Sequence, residues 1–158
     1  MYPPSEERCL KVMAIAVAFL LATPNANAVD YKTAAARVPK DQVAYAQCIS
    51  HHESRGNYKA VGDQSSARGR WQFLDKQWRH GLSFMVANRL VDYGMPKSKT
   101  KKLVKHLQSK SIDTWEPIYQ DVGFVAALNA KYKWSGWTHW AVNSKCNELV
   151  PKQLTRKA

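Results

Sequence analysis

An apolar run from Val12 to Leu21 limits what this chain can fold into, because it decides which residues belong to the folded part. Arg8 and Lys11 precede the run and Ala26-Asn27-Ala28 follows it, the layout of an export signal with a small-residue cleavage pattern. Glu6 and Glu7 are the discordant note, since such leaders begin with net positive charge. The run is about ten residues long, against roughly 20 needed to cross a bilayer, so residues 1–28 read as a removable signal peptide rather than a stable membrane anchor. Removing 28 of 158 residues leaves 130, which suits one domain.

Export and charge narrow the partners. The segment 1–28 carries two acidic and two basic residues, so the remainder keeps the full net charge of +12. A balance so basic favours a polyanion: nucleic acid, an anionic membrane surface, or a bacterial wall with its peptide carboxylates and teichoic acids. Export and the lack of any nucleic-acid-binding signature disfavour the first. The Lys97–Lys110 stretch, with six lysines, is either a solvated helix face or an adhesive for anionic wall polymers. Cys9 leaves with the signal, so an oxidising compartment allows one pairing, Cys48 with Cys146, tying the start of the domain to its end; two free buried thiols are the alternative.

Along the folded part, residues 29–40 read as a flexible lead-in that Pro39 keeps from helix. A first helix is expected from an Asp41 N-cap, with Val43, Ala46, Ile49 and Glu53 on one face and Gly56 as its stop. Residues 57–73 alternate Gly, Ser and Asp with short apolar pairs, the pattern of an irregular loop with a small hairpin. A second helix runs from an Asp75 N-cap to about Tyr93, its stripe being Trp78, Leu82, Met85, Val86 and Leu90. A short basic helix spans Ser98–Gln108. A fourth starts at Glu116-Pro117 and carries Ile118, Val122, Val125 and Leu128 toward Tyr132. The aromatic turn Trp134–Trp140 leads into a last short helix reaching Cys146, and a basic tail fills residues 151–158. There is no internal repeat. The sum is an α+β domain, mostly helical, over residues 41–150.

Within it, Cys48-Ile-Ser-His-His-Glu53-Ser54-Arg55-Gly56-Asn57-Tyr58, followed by Gly69-Arg70-Trp71-Gln72-Phe73 and Trp78, resembles the lytic transglycosylase and resuscitation-promoting-factor branch of the lysozyme superfamily, and small phage muralytic domains. The resemblance covers roughly residues 41–82 and is looser over Gln120-Asp121, Phe124 and the aromatic end. It implies a lysozyme-like fold with a β-hairpin beside the cleft, and cleavage of peptidoglycan between N-acetylmuramic acid and N-acetylglucosamine by a secreted enzyme needing no cofactor. A monomer is expected.

Glu53 is the expected catalytic acid. Glycosidic cleavage needs a group still protonated near neutral pH to protonate the departing oxygen. A free glutamate titrates near 4.3, whereas apolar packing raises the acid of lysozyme to about 6. A helix C-terminus also favours the protonated form. Glycosidases usually use two carboxylates; Asp63 and Asp75 are nearby, Asp75 reading as a helix cap and Asp63 either as a partner or as plain turn chemistry. The resembled transglycosylases need only one, the sugar's own 6-hydroxyl completing the reaction to an anhydro-sugar. Hydrolytic muramidase action and wall binding without catalysis are the alternatives.

By the resemblance Gln72 lines the cleft, pointing opposite to Trp71 and Phe73 if the segment is a strand. Ser54 either orients Glu53 or bonds backbone. Tyr58, Trp71 and Trp78 are either surfaces for sugar rings or core. A metal is not expected: His51 and His52 point about 100° apart on a helix, and His80, His106 and His139 have no zinc spacing.

Overall fold

Tyr31–Ala36 folds as a short helix, α1, where the sequence predicts a loose lead-in. Asp30 caps it, accepting from the Lys32 amide at 3.3 Å. Three consecutive alanines keep its surface thin enough to lie against two other helices. Ala35 is fully buried, and its carbonyl accepts from Arg89 Nε at 2.6 Å. Lys32 reaches Glu116 at 3.8 Å and lies 4.9 Å over the Tyr119 ring. α1 ends at Ala36, with Arg37 already extended, before Pro39 is reached. The computed structural model describes residues 30–130, 139–140 and 144–155. The signal segment 1–28, Trp134 and Trp137, and the end of the basic tail lie outside the described residues.

Lys40–Gln42 is a 3-10 turn that leads into α2, Val43–Ser54, so Asp41 lies in the turn and does not cap the helix. Gln42, at the N-cap, is buried and directs its amide elsewhere: it exchanges two hydrogen bonds with the Asn129 amide, at 2.9 and 3.1 Å. Tyr45, Ala46, Ile49 and Ser50 form the buried face of α2 at helical spacing. The helix closes through Arg55, left-handed at φ 53°, and Gly56 at φ 81°. Their amides return to the carbonyls of His51 and Ser50, both at 3.0 Å.

The only sheet among the described residues is β1, Ala67–Arg68, against β2, Phe73–Leu74, antiparallel, with Ala67 opposite Leu74 and Arg68 opposite Phe73. Val61 bridges to Arg68 on the other side. Then come α3, Asp75–Asp92, α4, Thr100–Gln108, and α5, Pro117–Leu128. Leu82, Val86 and Leu90 are buried as their spacing predicts. Gly123 lets α5 approach α3 closely: a Cβ there would stand 3.3 Å from Leu82 Cδ1. Asp75 is buried and does not cap α3; its carboxylate accepts from the Ile112 amide at 2.9 Å and pairs with Arg79 at 3.6 Å.

A 3-10 segment, Ser144–Leu149, lies against α2, and α6, Lys152–Thr155, closes the described chain, with Leu154 buried. Cys48 and Cys146 are joined in a disulfide, their Cα atoms 5.8 Å apart. No helix among the described residues is long and apolar enough to cross a membrane. Among the described residues the domain is mostly helical with one small antiparallel sheet.

Candidate active site

Glu53 lies in the last turn of α2, half-buried. With His51, His52, Ser54 and Arg55 it lines an open hollow of about 410 Å³. Two turns back on α2, Tyr45 is fully buried; burial raises its phenol pKa first, and the nearby Glu53 carboxylate raises it further. The field of Glu53 therefore reaches the core side of its helix, as expected for a carboxyl on the rim of the packed interior.

The other predicted site residues fall into two groups. Ser54 donates to the Arg70 carbonyl at 2.7 Å and lies 3.4 Å from the Ser50 carbonyl, so it fastens the end of α2 to the loop before β2. Trp78 is half-buried beside Phe73 and His139, with ring centroids at 5.6 and 4.8 Å. Asp63 is exposed in the bend between Gly62 and Ala67.

Three of the predicted residues are engaged by the fold itself. Trp71 takes the core alternative: it is 2% exposed, stacked on Phe124 at 3.7 Å, and its indole nitrogen donates to Asp121 at 3.0 Å. Gln72 is not on a strand. Its backbone is left-handed at φ 49°, β2 begins one residue later, and its side-chain amide donates to the Gly69 carbonyl at 2.9 Å, so it stabilises the turn. Tyr58 is committed through its hydroxyl, which donates to Asp121 Oδ2 at 2.7 Å and accepts from Arg70 Nη1 at 2.7 Å; the Arg70 guanidinium also lies 5.2 Å from its ring centre.

These bonds outline a polar centre that sequence patterns missed. Arg70 donates to Ser50 Oγ at 2.8 Å and faces Asp121 at 3.5 Å, while Asp121 holds Tyr58 and Trp71. Burial pushes the Asp121 carboxyl above its usual range, and the bonds from Tyr58, Arg70 and Trp71 pull it back only in part. Behind it Gln120, fully buried, accepts from the Arg70 amide at 2.9 Å and donates to the carbonyls of Tyr58 and Trp115 at 3.0 and 3.3 Å. Gly69 makes this possible: a Cβ there would lie 2.3 Å from Gln120 Oε1. The only signal in the sequence is the string Gln120-Asp121 itself, most of whose partners lie 50 or more positions away in the chain.

His139, also missed, is wedged among Phe73, Trp78 and Trp140, with Nε2 3.3 Å from the Gln72 carbonyl. Burial pushes its pKa below the usual histidine range, against the opposing pull of that carbonyl. In the unfolded chain the ring titrates near 6.5. As pH falls through that value the unfolded chain takes up the proton first, so this stabilising share is full above about pH 6.5 and shrinks as pH drops toward the folded value. We expect the melting temperature of the parent to fall more between about pH 7.5 and 5 than that of His139→Gln. Parallel melting curves would refute this.

No protein-family model, no curated protein and no solved structure matches the chain.

Proposed function

We propose that this protein is a peptidoglycan hydrolase of lysozyme-like fold that cleaves the β-1,4 bond between N-acetylmuramic acid and N-acetylglucosamine, with Glu53 as its acid. The observation that carries the reading is the setting of Glu53: a half-buried carboxyl at a helix C-terminus, on an open hollow, with the small hairpin following in the chain. Glu53 would donate its proton to the departing glycosidic oxygen as oxocarbenium character develops. The resulting carboxylate would then take the proton of the substrate's 6-hydroxyl as that oxygen closes on the anomeric carbon, giving the anhydro-sugar of a lytic transglycosylase. The step needs no second protein carboxylate. Six exposed lysines from Lys97 to Lys110 supply adhesion to anionic wall polymers, and the wall is the intended partner of a secreted enzyme.

Mass spectrometry of purified walls digested by the protein tests this. Anhydro-terminated muropeptides are the expected product. Reducing ends alone would make it a hydrolytic muramidase, and binding without release would leave a wall-binding protein.

A further inference from the structure

A second hollow, of about 200 Å³, lies nearer the start of α2. Ala36 from the end of α1, Val38 from the link, and Val43 and Ala46 from α2 give it an apolar wall. Arg70 and Asp121 form its polar end, and the exposed Gln47 also lines it. Gln47 and Ser54 stand two helical turns apart on one face of α2, roughly 10 Å along the axis, and Ser54 lines the hollow of Glu53. The Ser54 hydroxyl donates to the Arg70 carbonyl, so residue 70 is tied to the wall of the first hollow by its main chain and lines the second.

The polar end has hydrogen-bonding capacity to spare. Arg70 Nε donates to Ser50 and Nη1 to Tyr58, while Nη2 has no acceptor among the described residues. Asp121 accepts from Trp71 at Oδ1 and from Tyr58 at Oδ2, and a carboxylate has about four lone-pair sites. A donor and an acceptor therefore remain side by side. The Arg70–Asp121 pair, at 3.5 Å, carries no net charge, so an ionised ligand group would lose its water without gaining a counter-charge. A neutral group that both donates and accepts fits, and an amide is such a group. The hollow is smaller than the about 300–1,000 Å³ of sites that enclose a whole small molecule, so it suits one side group of a larger ligand.

We propose that this hollow binds a methyl-bearing secondary amide, the group shared by N-acetylated amino sugars and alanine-containing peptides. Arg70 Nη2 donates to the amide carbonyl, Asp121 accepts from its N–H, and Val38, Val43 and Ala46 cover the methyl. Peptidoglycan contains both sources, and the inference rests on the proposed wall substrate in that respect alone.

The full chain, labelled with nitrogen-15, should be titrated with the methyl glycoside of N-acetylglucosamine, with that of glucosamine, and with the dipeptide alanyl-alanine. The signal to follow by NMR is the indole N–H of Trp71, which lines the hollow and donates to Asp121. A saturable shift is expected with the acetylated sugar, the dipeptide or both, and the responding probe identifies the source; the glucosamine glycoside should give none. Val43→Trp fills the hollow from a position already 37% exposed, so the fold is kept. It should weaken binding by about tenfold or more, the worth of a covered methyl and two hydrogen bonds. Phe84→Trp, at an exposed position of α3 that does not line the hollow, should bind like the parent. The site is overturned if no probe moves the indole signal, if the glucosamine glycoside also moves it, or if Val43→Trp binds as the parent does. No cleavage is read in this titration: a fully active Glu53→Gln protein whose parent binds the probes would sink the proposed chemistry and leave the site, and cleavage without probe binding would do the reverse.

Discussion

Glu53→Gln is expected to lower the release of soluble fragments from purified peptidoglycan by about 10²–10⁴-fold, the usual worth of a positioned general acid. Glutamine preserves the size of the side chain and its capacity for hydrogen bonding, and it has no proton to give to a leaving oxygen. The rim position of residue 53 means that little packing depends on it, so the thermal unfolding midpoint should move by no more than a few degrees. Fragment release can be followed with dye-labelled walls, and unfolding by circular dichroism on the same samples. A variant as active as the parent would sink the proposed chemistry outright. A variant that loses activity and also melts far below the parent would point instead to a structural role for the carboxyl.

The second large effect concerns the covalent tie behind that helix. Replacing both Cys48 and Cys146 by serine should cost about 4–5 kcal/mol of unfolding free energy, because the bond closes a loop with a sequence separation of 98. Domains of this size have only about 5–15 kcal/mol in total, so the midpoint in urea should move markedly downward. The loss falls on the junction of α2 with the Ser144–Leu149 segment, one turn ahead of Glu53. An unchanged urea midpoint would mean that packing of Cys146 and its neighbours suffices without the bond.

Helices with a long apolar stripe were legible in the sequence. The Leu82, Val86, Leu90 face of α3 and the Pro117 start of α5 follow from spacing and from proline's fit to a first helical position. The pairing of the cysteines was legible too, by elimination. What failed shares a cause: side chains were assigned to their local neighbourhood and serve distant ones. Asp41 and Asp75 look like caps, yet Gln42 takes the N-cap of α2 while bonding Asn129, and Asp75 reaches Ile112. The string Tyr-Lys-Thr-Ala-Ala-Ala has too little apolar surface to announce a helix, and α1 exists because α3 and α5 offer it a place to lie.

In the candidate site, Glu53 could be placed because a helix stop follows it within three residues. Trp71 and Gln72 could not. Which face an aromatic shows depends on register, and the left-handed backbone of Gln72 breaks the alternation from which its direction was inferred. The Arg70–Asp121–Tyr58 centre was illegible for a further reason. Its members come from a loop and from α5, and only the folded chain brings them together.

The amide of Gln120 has a bearing on how such a protein could change over generations. Tyr58, Arg70 and Trp115 hang on it by their main chains, and Gly69 has no space to become anything larger. Lengthening the chain near any of those three anchor points would disrupt them together. In the exposed bend, Ser65 accepts from the Ala67 amide and from Arg68, whereas Asp63 and Gln64 before it carry no such obligation to the interior. If relatives of this domain diversify in the substrate they accept, insertions and new side chains can accumulate there at little cost to folding.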